Sequence, residues 1–270
     1  MNAYSKDDYA FWGLRICLAA TFIVLILSQV SQYSTAPMPH GLWKALLPNH
    51  SWPYYTQVFW AASLISVFAY AQKNPKNWAS WALFGLTTWA VCMEESNGIH
   101  NRNALVSWLF FAQAVAASWP NKSSKLALQF SAQVVAGTYF LSALSKLLDA
   151  GLSWPIQGQL IGLQIAKSFH QAWADFLDPT QLEAGSVQLS NLEQYSSFLP
   201  VILGLALFLE FAAPLALLNK TSKWIMGWSL VAMHLAIFIS MNISLLGIAI
   251  PMFFVFINPL GWLLSLNKQT

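Results

Sequence analysis

Six ionisable residues fall where apolar helices would carry them into or against lipid: Arg15, Glu94, Glu95, Lys146, Glu210 and His234. A charge at the middle of a bilayer costs at least ~2.5 to 3.5 kcal/mol, so each needs a route to water or a partner. Lys146 is the most informative. It lies in YFLSALSKLLDAGLSW, residues 139–154, at the outer end of a long apolar run. At about 100° per residue, Thr138, Tyr139, Ser142 and Lys146 share one arc about 100° wide, so this helix carries a polar face. In one reading Lys146 snorkels to the membrane surface. In the other it faces the interior of a helix bundle, where desolvation favours the neutral amine and suits it to act as a general base.

The other five residues each carry paired readings. His234 is set in WSLVAMHLAIFISMNISLLG, with Asn242 towards the outer end of the same run. It is either an internally hydrogen-bonded packing residue or a site wall that orients a polar ligand. Glu210, in FLEFAAPL, must be paired or protonated and is expected to be a structural buried charge, with His234 or Arg15 as its partner. Arg15 is likewise expected to be structural, and it lies near enough to the cytoplasmic end of its run to snorkel. The segment EESNGIHNRN, residues 94–103, gathers two carboxylates, His100, Asn101, Asn103 and Arg102. Its asparagines are read as helix caps or as a polar wall beside Lys146. Glu94, Glu95 and His100 match no metal-ligand spacing, so no metal is expected.

The elements that would hold these residues follow from composition. Of 270 residues, 57% are hydrophobic and only 9% are charged, against about 25% charged in soluble domains. Apolar runs are expected to span near residues 9–31, 54–72, 77–95, 103–119, 124–147, 196–218, 222–243 and 245–266. The first run is too long for a signal-peptide core and has no small-residue cleavage site close behind it, so it is kept as a span. The expected fold class is an all-α integral membrane protein, a polytopic bundle of about eight transmembrane helices with one or two amphipathic outer-face helices. One transmembrane domain, residues 1–270, is expected.

The pairs Lys73 with Lys76, Lys122 with Lys125 and Lys220 with Lys223 share one side if both termini are cytoplasmic. Residues 148–195 then form an extracytoplasmic amphipathic helix, near 156–175, and a mobile loop, Asp178 to Ser197. Gly41 to Leu47 is a second amphipathic segment. The scattered positive charge, with no basic run, excludes a nucleic-acid binder. Phosphate loops, HExxH and GxSxG are absent, and no internal repeat of the transporter kind is visible.

Several short motifs together resemble one family. An aromatic-rich helix leads into Ser145-Lys146-Leu147, then Asp149, Trp154 and Gly158. His234-Leu235 leads through Asn242 and Ser244 to Leu246-Gly247 and Pro251-Met252, and the loop ending at Asn101 to Asn103 precedes VSWLFF. These, with WGLRICLAATFIVLI at the start, resemble the membrane portion of vitamin K-dependent γ-glutamyl carboxylase and the wider HTTM (horizontally transferred transmembrane) family. The chain is closer in size to small bacterial members of the sporulation-delaying protein B type.

The resemblance implies that Lys146 is the base toward reduced vitamin K or another quinol, with His100 as the counterpart of the family's active-site histidine. Asn101, Asn103, Tyr139, Ser142, Trp154, His234 and Asn242 would line the substrate or cofactor pocket. It further implies a carboxylase-like enzyme of a bacterial inner membrane that modifies a secreted peptide or a small substrate at the extracytoplasmic face, among membrane lipid. The alternative reading is a non-catalytic protein of peptide toxin maturation or immunity, or a small-molecule carrier.

Overall fold

In the computed structural model, which describes residues 5–27, 54–72, 76–96, 103–120, 123–157, 159–194, 196–241, 245–260 and 263, the apolar runs become α-helices, and no strand forms among those residues. In chain order they are α1 Lys6–Thr21, which continues as a π-helical turn Phe22–Leu27, α2 Tyr55–Ala71, α3 Asn77–Ser96, α4 Ala104–Ser118 and α5 Ser124–Ala150, followed by a 3-10 turn Gly151–Ile156. Then come α6 Gln159–Phe176, α7 Thr180–Gln194, α8 Leu199–Ala212, α9 Lys220–Met241 and α10 Leu246–Phe256. Short 3-10 turns at Ser196–Phe198 and Ala213–Leu217 flank α8. The helices group into two units, Met1–Val135 with Leu246–Thr270, and Ala136–Leu245.

In the first unit α1 starts on a capping box. Ser5 Oγ accepts from the Asp8 amide at 3.2 Å, and the Asp8 carboxylate accepts from the Ser5 amide at 2.8 Å, satisfying two amides the helix leaves open. Ser124 Oγ also donates to Asp8 at 2.6 Å, tying the start of α5 to α1. Arg15 is 2% exposed, so it does not snorkel. Its Nη1 donates to the Tyr70 carbonyl at 2.9 Å and its guanidinium lies 5.0 Å from the Phe11 ring centroid, which pairs the charge with a carbonyl dipole and a π-face. The Tyr70 hydroxyl bonds Gln113, whose amide reaches Ser131 Oγ at 3.4 Å. These bonds make a buried polar chain, with the Tyr70 ring 5.2 Å from that of Phe110.

The second unit holds the end of α5, α6 to α9, and three of the six ionisable residues singled out above, Lys146, Glu210 and His234. Asp178 to Ser197 is not a loop: Thr180–Gln194 is helical. The Asp178 carboxylate accepts from the Thr180 amide at 3.0 Å and from its hydroxyl at 2.7 Å. Pro179 follows, and an acceptor and then proline is a helix start as well as a turn signal. The α6–α7 contact is close, because a Cβ built on the buried Gly185 would stand 2.8 Å from Phe169 Cβ.

Three helical segments are long and apolar enough to cross a membrane, Ser124–Ile156, Ser196–Leu217 and Lys220–Ile239, which marks the chain as a membrane protein. Val201, Leu205 and Phe208 on α8 and Trp224, Trp228 and Leu235 on α9 are exposed, the surface lipid solvates and water does not. The apolar helices Thr56–Ala71, Ala104–Ser118 and Leu246–Phe256 are shorter, the second of them about 22 Å at 1.5 Å per residue. The eight spans expected from hydropathy therefore reduce to three that meet the length requirement among the described residues. The fifth of those spans is also longer than expected: helical backbone runs past 147 to Ile156.

Candidate functional site

On α5, Tyr139, Ser142 and Lys146 recur at helical spacing, so their side chains leave one face in a column. Lys146 Nζ donates to Ser142 Oγ at 3.1 Å, one turn back along the same helix. Its second partner is the carboxylate of Glu210 on α8, with which it forms an ion pair. Its third contact is the indole of Trp154 in the 3-10 turn after α5, whose ring centroid lies 5.3 Å from Nζ. Lys146 thus has an anion, a hydroxyl and a π-face around one ammonium. The Lys146 side chain is 26% exposed and that of Glu210 is 11% exposed, so the pair is mostly buried and its lysine end is the more open.

A second polar pair lies between the same helix and α9. The Tyr139 hydroxyl and His234 Nε2 are 2.5 Å apart, and both residues are buried. His234 Nδ1 is buried too and has no hydrogen-bond partner, so the ring keeps one unused polar atom inside the unit. The two pairs interact electrostatically, Glu210 with Tyr139 and Lys146 with His234. Four helical elements of one unit therefore converge on an amine, a carboxylate, a phenol, an imidazole and an indole. This set can hold a hydroxyl-bearing ligand and move a proton among its members.

Of the residues expected at a site, this unit brings together Lys146, Ser142, Trp154, Tyr139 and His234. Glu210 was expected to pair with His234 or Arg15; its partner is Lys146. Asn103 belongs to the first unit, where it is buried in the N-cap position of α4 without a capping bond from its side chain. Arg15 is in that unit as well. His100, Asn101, Asn242 and the segment Gly41 to Leu47 lie outside the described residues, as does Gly158.

The Lys146–Glu210 pair is what sequence reasoning missed. Ending the fifth span at 147 put Lys146 at its mouth, far in depth from a Glu210 expected deep in the sixth. The helical backbone that continues to Ile156 sets Lys146 back from the end of the segment, where the two side chains can meet. A signal was available, since a carboxylate deep in one span requires a cation from another.

No protein-family model, no curated protein and no solved structure matches the chain. The class of protein is accordingly defined by its own features: an all-helical membrane protein with a buried Lys–Glu pair joined to a Tyr–His pair.

Proposed function

We propose that the chain is an HTTM-type membrane enzyme, carboxylase-like in its use of a lysine base, that modifies a secreted peptide or small substrate at the extracytoplasmic face of a bacterial inner membrane. In this reading it has about eight spans with both termini in the cytoplasm, and α1, α2, α3, α4 and α10 cross together with the three long segments.

The observation that carries the reading is the set of contacts at Lys146. Lys146 and Glu210 are in contact, which sets a proton donor beside a proton acceptor in the mostly buried interior of the unit. Ser142 fixes the direction of Nζ and Trp154 covers it. An aromatic diol matches the chemistry of this set, in which a flat indole stands 5.3 Å from the ammonium beside a hydroxyl and a carboxylate. Lys146 and Trp154 would hold such a quinol, with Tyr139 and the unpartnered Nδ1 of His234 as further polar contacts. When bound, the quinol supplies the reducing equivalents, and this chain's own part is to take a proton from its hydroxyl onto Nζ.

The ion pair also favours a second reading, a non-catalytic protein of peptide toxin maturation or immunity, in which Lys146 and Glu210 only lock α5 to α8. The test is mass spectrometry of candidate secreted peptides incubated with reconstituted protein and reduced vitamin K. The enzyme reading expects a mass shift with the native chain and none with Lys146→Met. A shift that survives Lys146→Met refutes the base, and no shift from the native chain with any quinol favours the non-catalytic reading.

A further inference from the structure

The hairpin of α6 and α7 has two unlike outer faces. On α6, Leu163, Lys167, His170 and Trp173 are exposed, and at about 100° per residue they cover an arc about 120° wide. Two of them are large and apolar, Leu163 at 68% and Trp173 at 39% exposure, with a lysine between. On α7 the outer residues include Glu183, Ser186, Val187, Ser190, Asn191 and Glu193, polar apart from the exposed Val187, where α6 has leucine, tryptophan and lysine. The face of α6 that meets α7 is a third one, carrying Ile165 and Phe169, the latter against Gly185.

Both ends of this hairpin are pinned. It leaves the spanning segment Ser124–Ile156 and re-enters the spanning segment Ser196–Leu217, so residues 159–194 begin and end at one membrane face. A helix held there, with leucine and tryptophan flanking a lysine on one side and acids beyond, meets the bilayer through the apolar and basic side. Tryptophan belongs at the headgroup level, and lysine extends to the phosphates while its stem covers apolar surface.

We propose that the Leu163–Lys167–His170–Trp173 face of α6 rests on the surface of an anionic phospholipid bilayer, with α7 turned to water. The occupant is lipid rather than a second copy or a peptide, because a cation among apolar residues complements anionic headgroups and the hairpin is already tethered to that surface. The inference stands independently of any activity.

The test uses the full chain with Cys17 and Cys92 replaced by alanine, nitroxide-labelled at Leu163→Cys or Val187→Cys, and reconstituted at low protein density in vesicles of phosphatidylethanolamine and phosphatidylglycerol. Collision with oxygen reports lipid, and collision with a nickel chelate reports water. The expected result is an oxygen-to-nickel ratio several-fold higher at position 163 than at 187, reduced when Lys167→Glu is added. Equal ratios at the two positions overturn the proposal. So does a label at 163 shielded from both reagents, the mark of a protein partner. A ratio unchanged between these vesicles and phosphatidylcholine ones overturns the choice of anionic lipid.

Discussion

Replacing Glu210 by Leu should destabilise the protein by about 2 to 3 kcal/mol, and replacing Lys146 by Met as well should restore most of that. The figure follows from the site. A lone lysine at the centre of a span costs ~2.5 to 3.5 kcal/mol, and breaking a buried pair costs about 3 to 5 kcal/mol. The Lys146 side chain is 26% exposed and keeps the Trp154 face, worth ~0.5 to 2 kcal/mol, so the value lies at the low end. In Lys146→Met/Glu210→Leu no charge is left to solvate, and pairs replaced whole by apolar side chains are typically neutral or better. The four proteins of this double-mutant cycle would be compared in mixed micelles by titration with a denaturing detergent, with helicity as the signal. The expected coupling energy is about 2 kcal/mol. Single variants that each cost under ~0.5 kcal/mol and simply add would refute the idea that the pair holds α5 to α8, and with it the account of why these residues are tolerated in lipid.

Three further outcomes follow from the same contacts. Tyr139→Phe keeps the ring but strips His234 Nε2 of its hydroxyl, which should cost ~1 to 3 kcal/mol in the same titration; an unchanged midpoint would show that the 2.5 Å contact contributes nothing. Gly185→Ala puts a methyl 2.8 Å from Phe169 Cβ and should cost ~1 to 3 kcal/mol, seen as faster amide exchange confined to α6 and α7; native exchange would mean that the hairpin yields freely. Hydrogen bonds from the Thr180 hydroxyl, then its amide, then Gln181 hold the Asp178 carboxyl below the ordinary carboxylate range. A group depressed in the folded state stabilises above its unfolded value and loses that contribution as pH falls through the folded one, so exchange at the start of α7 should rise below about pH 4. Asp178→Asn should show no such rise.

Hydropathy located most helices because lipid selects for continuous apolar runs, and α2, α3 and α4 begin and end within a residue or two of their expected limits. It failed where polar residues form helix for other reasons. The segment LDPTQLEAGSVQLSNLEQ looks like a loop on composition, yet Asp178 caps it, Pro179 begins it, and Gly185 lets it lie against Phe169. The amphipathic helix near 156–175 was legible as α6 because its apolar residues recur at helical spacing. Contacts across 64 residues, such as Lys146 with Glu210, leave no periodic trace, and only the physical demand that a charge in lipid be paired points toward them.

That demand also explains why the turn after α5 matters to the site. Gly151 has φ +62°, a left-handed conformation that glycine adopts without the strain a side chain would bring. It ends α5 five residues after Lys146 and starts the 3-10 turn that carries Trp154. The lysine therefore receives its indole from its own chain, its hydroxyl from Ser142 one turn back, and only its anion from elsewhere. Two of the three groups around the ammonium are set by α5 and its turn, and the third arrives when α8 packs. Glu210 is then the group around Lys146 that depends on α8, and the set of contacts is complete only where α8 packs against α5.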